Sequence, residues 1–139
     1  MDCIFCKIVK KEIDSAKVYE DENVFVFLDI NPVSKGHCLV IPKKHFENIF
    51  DINDNILQKV SLAGKNIAEK LKVRLRADGI NFLQSNDEVA GQVIFHFHLH
   101  VIPRYENDGL KKHGLFGEKL QSANIEGLKK LAEEINKKI

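Results

Sequence analysis

The sequence predicts a mixed domain in which short β-strands build a sheet and one long helix covers a face of it. Three observations carry this. Phe95-His96-Phe97-His98-Leu99-His100-Val101-Ile102 alternates imidazole and hydrocarbon with the two-residue period of a strand. Residues 53–75 repeat apolar side chains at spacings of three and four, the period of a helix. The remaining apolar runs are short and bounded by Pro, Gly, Asp and Asn, as strands are.

With 139 residues, 44% of them apolar and 29% charged, the chain is expected to be one domain spanning 1–139, with enough core to fold without disulfides. A formal charge of +1 excludes a broad electrostatic case for nucleic acid or a membrane surface, so an anionic ligand must be held by a local site. The longest apolar runs, such as Val24–Leu28, last only a few residues, so neither a transmembrane segment nor a signal peptide is visible. An odd cysteine count, Cys3, Cys6 and Cys38, fits a reducing compartment better than a disulfide framework. The chain therefore reads as cytoplasmic.

Taken in order, the chain opens on Cys3-Ile4-Phe5-Cys6, whose spacing turns both sulfurs towards one point. That pair is a redox couple, an incidental pair of thiols, or half of a zinc site needing two more ligands. Residues 17–29 read as two short strands around Asp21-Glu22-Asn23, the second apolar on both faces and hence central. Pro32 blocks its extension, leaving Asp29 at its mouth, either as a turn former or as a carboxylate able to accept from ribose hydroxyls. After Ser34-Lys35-Gly36, residues 37–41 form a strand stopped by Pro42, and Lys43-Lys44-His45 leads into a short helical or looped piece through Phe50.

The main helix, 53–75, carries the stripe Ile56, Val60, Ala63, Ile67 and Leu71, with Lys59, Lys65, Glu69, Lys70 and Lys72 on the opposite face. Ala77-Asp78-Gly79 turns the chain into a strand over 80–84. Residues 85–93, small and polar and including Gly91, suit either a plain hairpin connection or a loop whose amides approach an anion. A polar loop spans 106–117, and from about Asn124 the stripe Leu128, Leu131, Ile135 predicts a terminal helix with lysines at its C-terminal end.

On a strand running from Phe95 to Pro103, His96, His98 and His100 share one face while Phe95, Phe97, Leu99 and Val101 take the other. Alternate residues lie about 6.6–6.8 Å apart, so the outer imidazoles are about 13 Å apart and cannot share one ion. The three must have different work.

His96-Phe97-His98-Leu99-His100-Val101-Ile102 resembles the His-x-His-x-His-x-x signature of the histidine triad superfamily. The likeness extends in order through Cys3-x-x-Cys6, Asp29-Ile30, Gly36-His37, Leu39-Val40-Ile41-Pro42-Lys43-Lys44-His45 and Ala90-Gly91-Gln92, covering about 3–105. The chain is similar to bacterial members of the histidine-triad nucleotide-binding branch.

This resemblance implies an α+β fold: an antiparallel sheet of about five strands, a long helix on one face, a C-terminal helix, and a homodimer. It implies binding of purine nucleoside monophosphates and cleavage of nucleotidyl phosphoramidates or related esters. A dinucleoside polyphosphate hydrolase and a nucleotide-binding regulator are the alternatives. His98 would attack the α-phosphorus, His100 and His37 would hydrogen-bond its oxygens, and backbone amides after Gly91, at Gln92 and Val93, would complete the anion pocket. Asp29 would take the ribose, with Ile30, Phe5 and Ile8 on the base. The resemblance further implies a structural zinc on Cys3, Cys6, His45 and His96, and no magnesium requirement. Val93 stands where relatives carry Ser or Thr, and Ser85, with Asn86 beside it, stands where they carry Asn or Gln.

Overall fold

The structure is a computed structural model that describes residues 2–110 and 123–137. Its elements in order are α1 (Ile4–Val9), β1 (Lys17–Glu20), β2 (Val24–Leu28), β3 (Cys38–Pro42), α2 (Asp54–Arg74), β4 (Gly79–Leu83), β5 (Leu99–Arg104) and α3 (Ile125–Asn136). The five strands form one sheet in the order β1-β2-β3-β5-β4, every neighbouring pair antiparallel. This is the expected α+β architecture. Among the described residues no helix is long and apolar enough to cross a membrane.

The β2 and β3 strands are buried along their whole length because both sheet faces are covered. One face carries Val24, Val26, Cys38, Val40 and Val101 into the main core, where α2 brings Val60, Ile67 and Leu71, and α3 brings Leu128, Ala132 and Ile135. The other face carries Phe25, Phe27, Leu39 and Ile41 against Phe5 and Ile8 of α1. Alternation along each strand thus feeds two cores. The α1 helix was not foreseen: six residues are too few for a helical period to show.

Asn53 caps α2 by accepting from the Ile56 N–H at 2.8 Å, and Lys72 and Arg74 stand in its last turn against the helix dipole. Gly64 lets the helix lie close to β5, since a Cβ there would meet Leu99 Cδ2 at 2.8 Å. In α3 no basic residue falls in the last turn, and Lys137 stands at the C-cap as the lysine complement of the helix end.

The histidine strand is also corrected. It begins at Leu99, and residues 95–98 approach it irregularly because their groups bond to the chain after β3: the Phe97 N–H donates to Phe46 O at 2.7 Å. Phe95 accordingly lies out in solvent, 42% exposed. Pro103 does not end the strand. It pairs with Ile80 of β4 beyond the last β3 pair, Cys38–Val101, where β5 has one neighbour only and tolerates a residue without an N–H. Pro42 similarly belongs to β3, paired with Val24, and Gly79 belongs to β4, paired with Arg104. Of the loop expected over 106–117, residues 111–117 lie outside the described part.

Candidate active site

The three triad imidazoles meet three different partners, and each partner decides which ring nitrogen carries the proton. His96 is fully buried; its Nε2–H donates to Pro42 O at 2.8 Å, leaving the Nδ1 lone pair facing Cys3 Sγ at 3.3 Å, Cys6 Sγ at 3.6 Å and His45 Nδ1 at 3.2 Å. Cys6 Sγ lies 3.5 Å from His45 Nδ1. Burial pushes the His96 imidazole down to about 4, so its lone pair is available. A tetrahedral zinc with bonds of about 2.3 Å to sulfur and about 2.0–2.1 Å to nitrogen requires N···N near about 3.3 Å and N···S near about 3.5 Å. The donor set fits, and all four ligand atoms lie within 4.8 Å of one another.

His98 points its other edge at the chain. Its Nδ1–H donates to the His96 carbonyl at 2.7 Å, which leaves Nε2 unprotonated. The Phe5 ring stands edge-on to it at 5.2 Å. Burial holds the imidazole below its ordinary value of 6.5, opposed by the His96 carbonyl and the charge of Asp29. A neutral ring with a free Nε2 lone pair is a nucleophile.

His100 takes its tautomer from His37. The Val33 N–H donates to His37 Nδ1 at 3.1 Å, so the proton of His37 is on Nε2, and that N–H donates to His100 Nδ1 at 2.9 Å. His100 must then carry its own proton on Nε2 and act as a donor there. Asp29, 3.6 Å from His37 Nε2, completes a trio whose ligand atoms lie as close together as those of a metal site. The Val33 amide argues against a metal, since it keeps a proton on the nitrogen of His37 that a metal would need. The cluster is a hydrogen-bonded relay.

These groups open on a cavity of about 560 Å³, within the range of small-molecule sites. Phe5, Ile8, Asp29, Ile30, His37, Ser85, Gly91, Val93, His98 and His100 all line it. Asn86 and Gln92 do not. The Asn86 side chain accepts from the Ile49 N–H at 2.7 Å and pairs with Gln84. Gln92 is buried as a clamp: its Nε2 donates to Glu47 O and Ile94 O, and its Oε1 accepts from Asn48 Nδ2 and the Asp87 N–H. Gly91, at φ +97°, closes the turn, and the amides of Gly91 and Gln92 donate within the loop to Glu88 O and Asp87 O. They point into the turn, not towards an anion.

Several residues that shape the site had no signal in the sequence. The Val33 amide acts through a local turn onto His37, Asn48 acts through contacts distant in the chain, and Ile13, Asp14, Ser15 and Ile125 reach the cavity only through tertiary packing. Phe27 and Leu39 could have been found from strand alternation once the face was known.

Comparison with known proteins identifies the family and the fold. Residues 10–107 match the model of the HIT domain. "Protein hit" of Bacillus subtilis is 50% identical over 109 residues, covering 78% of this chain and 75% of that protein. Adenosine 5'-monophosphoramidase HNT1 of Saccharomyces cerevisiae is 39% identical over 138 residues, 99% of this chain and 82% of its own. Among solved structures, a HIT-like protein from Bartonella henselae superposes with TM-score 0.84 at 37% identity, covering 96% and 94% of the two chains. A zinc-bound histidine triad family protein from Mycobacterium smegmatis gives 0.79 at 32% identity, covering 97% and 94%. The triad motif, the antiparallel sheet beneath it and these matches along nearly the whole chain lead to one conclusion: the protein belongs to the HIT family.

Proposed function

We propose that the chain hydrolyses or transfers nucleotidyl groups from purine nucleoside phosphoramidates or related nucleotidyl esters, cleaving at the α-phosphate. The observation that carries this is His98, whose unprotonated Nε2 faces the cavity beside the donor edge of His100. In this reading Nε2 of His98 bonds to phosphorus while the bond to the leaving group breaks, and the leaving amine takes a proton from water. The ring becomes cationic as it does so, and the His96 carbonyl and Asp29 stabilise that charge. Water then adds to phosphorus as the P–Nε2 bond breaks, its proton going to the hydroxide left by the first step, giving the nucleoside monophosphate and neutral His98. His100, held by His37, donates to the phosphoryl oxygens, where charge gathers. Asp29 takes the ribose hydroxyls, Phe5, Ile8 and Ile30 pack on the base, and Ser85 and Val93 flank the phosphate.

The charge of the cavity favours an amine leaving group over a polyphosphate. Among the described residues its lining holds Asp14 and Asp29 but neither lysine nor arginine. A dinucleoside polyphosphate, carrying several negative charges, would meet no cation among the described lining residues.

A zinc bound by Cys3, Cys6, His45 and His96 would tie α1 to the start of the histidine segment. Its chemistry there is structural, with four protein ligands closing the tetrahedron. A homodimer through the exposed edge of β4 and the outer face of α2 fits the exposed Phe82, Leu62 and Val73. Three unpaired cysteines accord with a reducing, cytoplasmic setting.

The test is His98→Ala. It is expected to abolish release of amine from an adenosine phosphoramidate while AMP binding, measured by calorimetry, stays within a few-fold. Turnover retained by the variant would sink the proposal, and comparison of phosphoramidate with diadenosine polyphosphate rates separates the two substrate classes.

A further inference from the structure

Resting on the nucleotide reading above, we propose that Ile125, a residue outside the matched HIT segment, walls the base end of the cavity and sets a preference for purines. The matched segment ends at residue 107, whereas α3 begins at Ile125. The cavity runs across the sheet. His98 and His100 reach it from the β5 side, Asp29 stands past the end of β2, and Asp14 and Ser15 lead into β1. Three strand spacings separate β5 from β1, about 14 Å in all, so the groups that address phosphate cannot touch the part of a ligand that lies beside β1. With phosphate at His98 and ribose at Asp29, the base is what reaches that end.

Ile125 lines the same cavity and packs on the main core as well, so it comes round the end of the sheet from the face opposite the histidines. Its position is held from several directions. The Ala123 N–H donates to Ile30 O on the cavity rim at 3.0 Å, and Lys129 Nζ donates to Asp14 Oδ2 at 2.7 Å. Asn136 Nδ2 donates to Val18 O at 2.8 Å, and Leu128, Ala132 and Ile135 are buried. An apolar wall fixed in this way needs little ordering when a flat ring packs on it. A two-ring base covers more of it than a one-ring base.

The experiment uses the full chain and measures binding of AMP, CMP and ribose 5-phosphate by calorimetry. Ile125→Ala is expected to weaken AMP about fifteen- to sixtyfold, the loss that follows from uncovering two or three methylene groups. CMP should lose less, ribose 5-phosphate should be unchanged, and Ile125→Leu should restore AMP. Lys129→Ala, which releases the helix from Asp14, should give the same pattern at smaller amplitude. Unchanged AMP affinity in Ile125→Ala overturns the inference, as does an equal loss for AMP and ribose 5-phosphate, which marks a general fold defect. An unaltered chain that fails to bind AMP overturns the nucleotide reading itself, whereas the preceding outcomes leave that reading standing.

Discussion

At His37 the position of one proton is set by a backbone amide four residues earlier, and that choice passes to the next ring. The Val33 N–H occupies Nδ1, so Nε2 carries the hydrogen that His100 accepts, and His100 is left as a donor at its far edge. His37 is 3% exposed and is held between the Val33 amide and His100, so a small side chain there breaks the relay. In His37→Ala, His100 can adopt either tautomer. We expect kcat to fall about tenfold to a hundredfold with KM changing less, and His37→Gln, which keeps a donor and an acceptor, to recover part of the loss. Steady-state kinetics on an adenosine phosphoramidate check this; equal effects from both variants would contradict the relay. The same logic of acceptors separates His96 from His98, one lone pair facing sulfur and the other facing the cavity.

Among the elements, the loop between β4 and β5 shows how far a side chain's role depends on what it reaches. Gln92 sits in a motif that resembles an anion-binding segment, yet its amide group bonds Glu47, Ile94, Asn48 and Asp87 and so fastens this loop to the one that carries His45. Truncation leaves buried donors and acceptors unpaired. Gln92→Ala should therefore destabilise the protein by about 1–3 kcal/mol in urea unfolding. Val93→Ala, at a side chain 85% exposed, should stay within about 0.5 kcal/mol. The α2 boundaries, by contrast, follow from local chemistry: Asn53 is a side-chain cap and the apolar stripe names the buried face.

At the scale of the molecule, the four candidate metal ligands join three parts of the chain that also build the cavity. Cys3 caps and Cys6 lies within the helix that presents Phe5 and Ile8, His45 lies three residues before Asn48, and the carbonyl of His96 holds His98. Removal of metal should thus be felt at the cavity as well as at α1. A chelator is expected to lower Tm and raise hydrogen exchange over residues 3–10, while β2 and β3 keep their protection because both faces of those strands remain covered. Purified protein without zinc by elemental analysis, together with an unchanged Tm in Cys3→Ser, would overturn the assignment.

Residue order alone was enough for the strands from residues 17 to 41, the long helix, the sharing of one sheet side by His96, His98 and His100, and the family, because periodicity and short motifs are local properties. It also brought Cys3, Cys6, His45 and His96 together on paper, through resemblance. The packed fold was needed to show where the histidine strand starts, that Asn86 and Gln92 turn away from the cavity, and that Asp14 and Ile125 take part in it. Those outcomes depend on which donor meets which acceptor across the fold, and spacing along one chain carries no record of such meetings.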